Sequence, residues 1–201
     1  AQQGWYSWKE SIIGLHKPSC IHKLERCRKR LAYDELFTYQ IGLKLARKDY
    51  IKKRSNKLVI SNKYTKHILK ELPFQLTDDQ VKAIEDIGKR QKSKYRMITL
   101  LQGDVGSGKT VVALFAMLNA IENGLQVALM APTTILAEQH YEWIEEILSI
   151  THIKVALLTG KTARKEKNLI ISELTNGMLN IIVGTHALFQ DKVVFKNLGL
   201  V

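Results

Sequence analysis

With 201 residues and 45% hydrophobic content, the chain can bury one sizeable core, or one core with an appendage. No apolar run approaches the length of a membrane span, and no secretory leader is visible in these residues. The formal net charge of +12 gathers at one end, with 17 Lys/Arg against 6 Asp/Glu in residues 1–72 but 14 against 13 in residues 73–201, so a polyanionic partner is expected for the first part.

Cys20 and Cys27 are the only cysteines, which suits a reducing cytoplasm. With His16 and His22 they spell H-x3-C-x-H-x4-C, a spacing that matches no common zinc pattern and is read as structural. Residues 21–48 hold no strong helix breaker, and Leu31, Leu36, Ile41, Leu43 and Leu45 recur among Lys and Arg. A basic helix with a narrow apolar face is predicted, preceded in the chain by the basic run Arg26, Arg28, Lys29 and Arg30 and followed by Lys52, Lys53 and Arg54. Residues 55–65 are polar and predict a loop or a frayed helix. The segment 1–72 reads as an appendage, not a core.

The organisation changes after Leu72. Thr77 is placed as an N-cap and Gln80 three positions later, a capping box that opens a helix. Residues 97–101 (MITLL) predict a buried strand, and residues 111–121 an apolar helix. Between them Gly103, Asp104, Val105, Gly106, Ser107, Gly108, Lys109 and Thr110 match G-x-x-x-x-G-K-[ST] in full. A strand–loop–helix of this form turns successive N–H groups inward and sets an anion against a helix N-terminus. Its glycines let phosphate approach closely and supply positive φ. Lys109 is expected to reach the β- and γ-phosphates and the Thr110 hydroxyl to ligate Mg²⁺, so the expected ligand is a nucleoside triphosphate.

Beyond the loop, Gly124 closes a helix and residues 127–131 predict a strand. A helix at 135–150, a strand at 154–158, a helix at 163–174 and a strand at 181–183 follow, and residues 198–201 begin another strand. Short apolar strands alternating with helices predict an α/β lobe whose parallel sheet is covered on both faces, with ligands at the carboxyl ends of the strands. Three segments fall at those ends, contributing Thr133, Lys161, and the pair Thr185 and His186. Small hydroxyl and backbone groups with one lysine suit a sugar–phosphate backbone gripped without base readout. The plain structural readings are an N-cap at Thr133 or Thr134 and a turn at Gly160. His140 and His152 have no motif behind them and read as ordinary histidines.

In this order the motifs resemble those of superfamily 2 helicases, and their wording resembles the RecG-type branch-migration helicases. LPFQLTDDQ at 72–80 is similar to the segment before that family's motor, and LLQGDVGSGKTVVA at 100–113 to its motif I. ALMAPTTILAEQHY at 128–141 is similar to motif Ia, LLTGK at 157–161 to the next DNA-side motif, and VGTHALFQ at 183–190 to motif Ic. KRLAYDELFTYQIGLKLARK at 29–48 resembles the linker between wedge and motor. The resemblance implies a RecA-like lobe at 73–201, preceded by a basic helical linker at 1–72, and ATP with Mg²⁺ as cofactors. It implies Gln80 on the adenine with Phe74 stacking nearby, and Thr133, Lys161, Thr185 and His186 facing DNA or coupling it to the nucleotide. It further implies branched or forked duplex DNA as the partner, no membrane, a cytoplasmic monomer, and work in recombination and repair.

One departure bears on catalysis. ATP hydrolysis needs an acidic residue at a strand end to hold Mg²⁺ and a neighbouring carboxylate to position water. None of the predicted complete strands ends in such a pair, and the family places DEQH directly after a strand that begins like Leu198-Gly199-Leu200-Val201. The second motor lobe and the junction-splitting wedge are likewise not expected in this chain. The expectation is a chain that binds nucleotide and hydrolyses little by itself, with an open sheet edge that lowers stability and favours aggregation. The alternative is a non-catalytic nucleic-acid-binding module, or the relic of a split gene, whose basic segment is the working part.

Overall fold

The first helix starts where Ser7 and Glu10 cap one another. The Ser7 N–H donates to Glu10 Oε2 at 2.8 Å and the Glu10 N–H to Ser7 Oγ at 3.2 Å. These bonds hold the Glu10 carboxyl below its ordinary pKa. The computed structural model describes residues 4–52 and 57–201. Lys53 and Arg54 of the basic run, and Ser55 and Asn56 of the expected loop, lie outside the described residues. The capping box opens α1 (Trp8–His16), and α2 spans Ile21–Lys52, so the predicted basic helix is present. The two helices form a unit of their own within residues 1–54. They approach closely at Gly14, where a Cβ would lie 2.6 Å from Sγ of the buried Cys27.

Part of the basic character of α2 is spent on aromatic rings. Trp5 meets Tyr33 edge-on at 4.7 Å, and Tyr33 stacks on Phe37 at 5.6 Å. Arg30 lies over Trp5 at 5.2 Å while pairing with Asp34 at 2.6 Å, and Arg26 lies over Tyr6 at 4.9 Å. No helix among the described residues is long and apolar enough to cross a membrane.

The second unit, residues 55–201, holds α3 (Lys63–Glu71), α4 (Asp78–Gln91) and α5 (Lys109–Glu122). It continues with β1 (Gln126–Met130), α6 (Thr134–Leu148), β2 (Val155–Leu158), α7 (Arg164–Asn176), β3 (Ile181–Gly184) and β4 (Leu198–Leu200). Helix α3, which sequence reading leaves inside the linker segment, packs in this unit with Ile68 fully buried. Its entry is fixed by two side chains at the end of α5. Asn123 exchanges bonds with Val59, accepting the N–H at 2.8 Å and donating Nδ2 to the carbonyl at 2.9 Å. Glu122 accepts the Tyr64 N–H at 2.7 Å and the Ser61 hydroxyl.

All strand pairs are parallel, in the order β2-β3-β1-β4. Side chains alternate between two cores, as strand geometry requires. Val127, Ile181 and Val183 join the core that holds α5 and α6, while Ala128, Ile182 and Leu158 join Ile170 and Leu174 of α7. The sheet is therefore covered on both faces, as predicted. Buried Gln126 pins three segments together, donating Nε2 to Leu174 O at 2.8 Å and Leu179 O at 2.9 Å and accepting the Asn197 N–H at 2.9 Å.

Residues 97–101 depart from the expected strand. Their burial alternates, with Met97 and Leu101 packed on the core and Ile98 and Leu100 exposed, but they join no ladder beyond an isolated bridge at Tyr95. Apolar side chains supply burial, whereas a strand also needs a neighbour with free N–H and C=O groups in register. At the sheet's β4 edge, the strand is only three residues long and its register with β1 shifts between Gln126 and Val127.

Candidate nucleotide site and nucleic-acid face

The loop between residue 101 and α5 is shaped by its backbone. The Ser107 N–H donates to Asp104 O at 3.2 Å, closing a turn over Val105 and Gly106. Gly106 has φ +80°, which the third position of a type II turn requires. Gly108, with φ +75°, is the N-cap of α5 and brings no capping side chain. The N–H groups of the first turn of α5 are thus left without a side-chain cap, the condition under which a helix start receives an anion. Lys109 Nζ donates to Gly103 O at 2.9 Å and to Asp104 O at 2.6 Å, so the loop holds a positive charge against its own carbonyls.

Gln80 joins this loop to the helix before it. Its Oε1 accepts the Thr77 N–H at 2.9 Å and its N–H donates to Thr77 Oγ1 at 3.3 Å, completing the predicted capping box. Its Nε2 reaches across to Ser107 O at 3.0 Å. A Cβ at position 108 would lie 2.3 Å from that nitrogen, so any other residue there must displace the clamp.

A cavity of about 500 Å³ opens beside the loop. Its lining includes Gly106, Gly108, Lys109 and Thr110 of the loop and α5, Phe74 and Gln80, and Gln139, His140 and Trp143 of α6. Among the described residues no carboxylate lines it. Gly103, Asp104 and Ser107 act through the loop backbone, and the Val105 side chain is fully exposed. The α6 residues are the ones sequence reading misses. His140 follows no motif of its own, yet positions 139, 140 and 143 share a helix face, a spacing that could have flagged them once one of them was placed at the site.

The other candidates follow the strand ends. Register places Met130 and Leu158 opposite Gly184, so the carboxyl ends of β1, β2 and β3 are level. Thr133, Lys161, Thr185 and His186 come within three residues of those ends. Thr133 Oγ1 accepts the Leu136 N–H at 3.3 Å, so its N-cap role is present. Lys161 is exposed and borders a separate cavity of about 450 Å³ with Glu138, Tyr141 and Glu166. Tyr141 donates to Glu145 at 2.5 Å, and burial together with that carboxylate pushes the phenol up to about 12. Thr185 heads a short 3₁₀ turn without a side-chain cap bond, and His186 is exposed, edge-on to Phe189 at 6.4 Å.

A doubly covered parallel sheet, with a phosphate loop running into an uncapped helix start, defines a P-loop nucleotide-binding lobe of the RecA-like kind. Residues 77–201 match the family model described as DEAD/DEAH box helicase, and the chain belongs to that family. It is 47% identical over 193 residues to the ATP-dependent DNA helicase RecG of Thermotoga maritima, spanning 96% of this chain and 25% of that protein. It is 39% identical over 193 residues to the RecG of Bacillus subtilis, spanning 96% and 28%. Among solved structures, a RecG bound to a three-way DNA junction superposes with a TM-score of 0.82 at 46% identity, covering 94% of this chain and 26% of that one. The chain spans about a quarter of the length of the curated relatives it matches.

Proposed function

We propose that residues 73–201, with the packed helix α3 ahead of them, form the first nucleotide-binding lobe of a RecG-type ATP-dependent DNA helicase, and that the basic helical unit of residues 1–54 forms its linker. The observation that carries the reading is the loop itself. A positive φ at Gly106 and Gly108, an uncapped α5 and the Lys109 ammonium together present donors and positive charge to a phosphate chain. Gly103, Asp104, Val105, Gly106, Ser107 and Gly108 enclose the phosphates mainly by backbone, Lys109 neutralises them, and the Thr110 hydroxyl is the protein ligand for Mg²⁺. Bound Mg²⁺ supplies charge neutralisation on the phosphates. Gln80 and Phe74 lie toward the base.

In the whole protein, nucleotide turnover drives movement on branched or forked duplex DNA, in recombination and repair. Thr133, Lys161, Thr185 and His186 grip the sugar–phosphate backbone from the level strand ends, and the basic helix α2 adds sequence-independent attraction. A cytoplasmic monomer fits this role. Because no carboxylate among the described residues lines the cavity, this chain by itself binds nucleotide without appreciable turnover. A steady-state ATPase assay with three-way junction DNA tests this. No turnover above background is expected, and turnover abolished by Lys109→Ala would overturn the restriction.

A further inference from the structure

We infer that His140 and Trp143 of α6 form, with Phe74, the base-binding wall of the nucleotide cavity, so that a purine is held between aromatic side chains. The inference rests on the phosphate-loop reading and adds residues to it. The cavity's lining is of two chemical kinds. One is glycine backbone, ammonium and hydroxyl, from Gly106, Gly108, Lys109 and Thr110, which suits phosphates. The other is aromatic, with Phe74 at 44% exposure and the partly buried His140 and Trp143. A volume of about 500 Å³ is in the range that accepts a whole nucleotide rather than phosphate alone.

The polar atoms point the same way. Among the described residues, neither the His140 ring nor the Trp143 indole N–H has a hydrogen-bond partner, although both border the cavity. Gln80, in contrast, already spends its amide on Thr77 and Ser107. A purine offers two π faces and a rim of ring nitrogens and an exocyclic group, which match stacking surfaces with unspent imidazole and indole donors.

The test separates base from phosphates, using the 201-residue chain with two probes, MgADP and Mg²⁺ with inorganic tripolyphosphate. His140→Ala and Trp143→Ala are expected to weaken MgADP by about ten-fold or more while leaving tripolyphosphate within about two-fold. Trp143 is the only tryptophan outside residues 1–54, so MgADP should also change an emission component that Trp143→Phe removes, and tripolyphosphate should not. If Trp143→Ala does not fold, His140→Ala and the emission change decide. Equal weakening of both probes, no weakening of either, or an emission unchanged by MgADP overturns the inference while leaving the phosphate-loop reading in place. If Lys109→Ala binds both probes as the parent chain does, or if the parent chain binds neither, the phosphate-loop reading itself fails.

Discussion

The Gln80 side-chain amide donates to the Ser107 carbonyl at 3.0 Å while its oxygen still accepts the Thr77 N–H at 2.9 Å. One side chain thereby completes a helix cap and clamps the phosphate loop. Of the two roles that sequence analysis offers Gln80, the capping box is present, and the side chain adds a bond to the loop backbone.

The two roles of Gln80 can be separated. Gln80→Glu keeps an oxygen for the Thr77 N–H but sets a carboxylate against the Ser107 carbonyl. Thermal unfolding should shift by no more than about 0.5 kcal/mol, while MgADP binding weakens by about ten-fold. Gln80→Ala should lose both, costing about 1 kcal/mol of stability as well. Equal ADP affinity in Gln80→Glu and the parent chain would remove the clamp from the account.

Gly108 and Gly106 both have positive φ, but only Gly108 lies under another residue. Gly106→Ala meets open space and should cost about 1–2 kcal/mol from backbone strain alone. Gly108→Ala must also displace Gln80, so its nucleotide affinity should fall further than that of Gly106→Ala. Denaturant melts with parallel ADP titrations check the order, and a reversed order contradicts it.

Stability should depend strongly on Gln126, which is 3% exposed. Gln126→Leu strands the Leu179 carbonyl and the Asn197 N–H, while the Leu174 carbonyl keeps the Gly177 N–H. A loss of about 2–4 kcal/mol in urea unfolding is expected. A change below about 1 kcal/mol would mean that water replaces the side chain without penalty.

Alkali should act through Tyr141. Its phenol, normally near 10, is raised to about 12 by burial and by the Glu145 carboxylate it donates to. Between those values the folded chain keeps a proton that the unfolded chain releases, so this contribution is fully present below pH 10 and is lost as pH rises toward about 12. Tyr141→Phe should flatten the stability profile over that window. Ultraviolet titration of tyrosinate should show one phenol ionising later than the rest, and losing that late step in Tyr141→Phe assigns it.

Much of the second unit was legible because strand and helix periods alternate cleanly after Gly124, and each predicted element there is present within two residues of its bounds. Two things were not legible. Residues 97–101 have a strand's burial alternation but no ladder, because pairing depends on a neighbour's edge and not on the segment's own side chains. Helix α3 is short, and what holds it to the core is Ile68 and the distant acceptors Glu122 and Asn123, which no local pattern announces. At the site, the loop is local and its eight residues could be read in order. The aromatic part of the lining is assembled from Phe74 and α6, and only the fold brings positions 74, 140 and 143 to one cavity.

The central claim is that the loop from Gly103 to Thr110 binds the phosphates of a nucleotide through Lys109. Calorimetric titration of MgADP into the parent chain and into Lys109→Ala tests it most directly. The account predicts one site per chain, with affinity lower by about ten-fold or more in Lys109→Ala at an unchanged fold. The same affinity in both chains would contradict it.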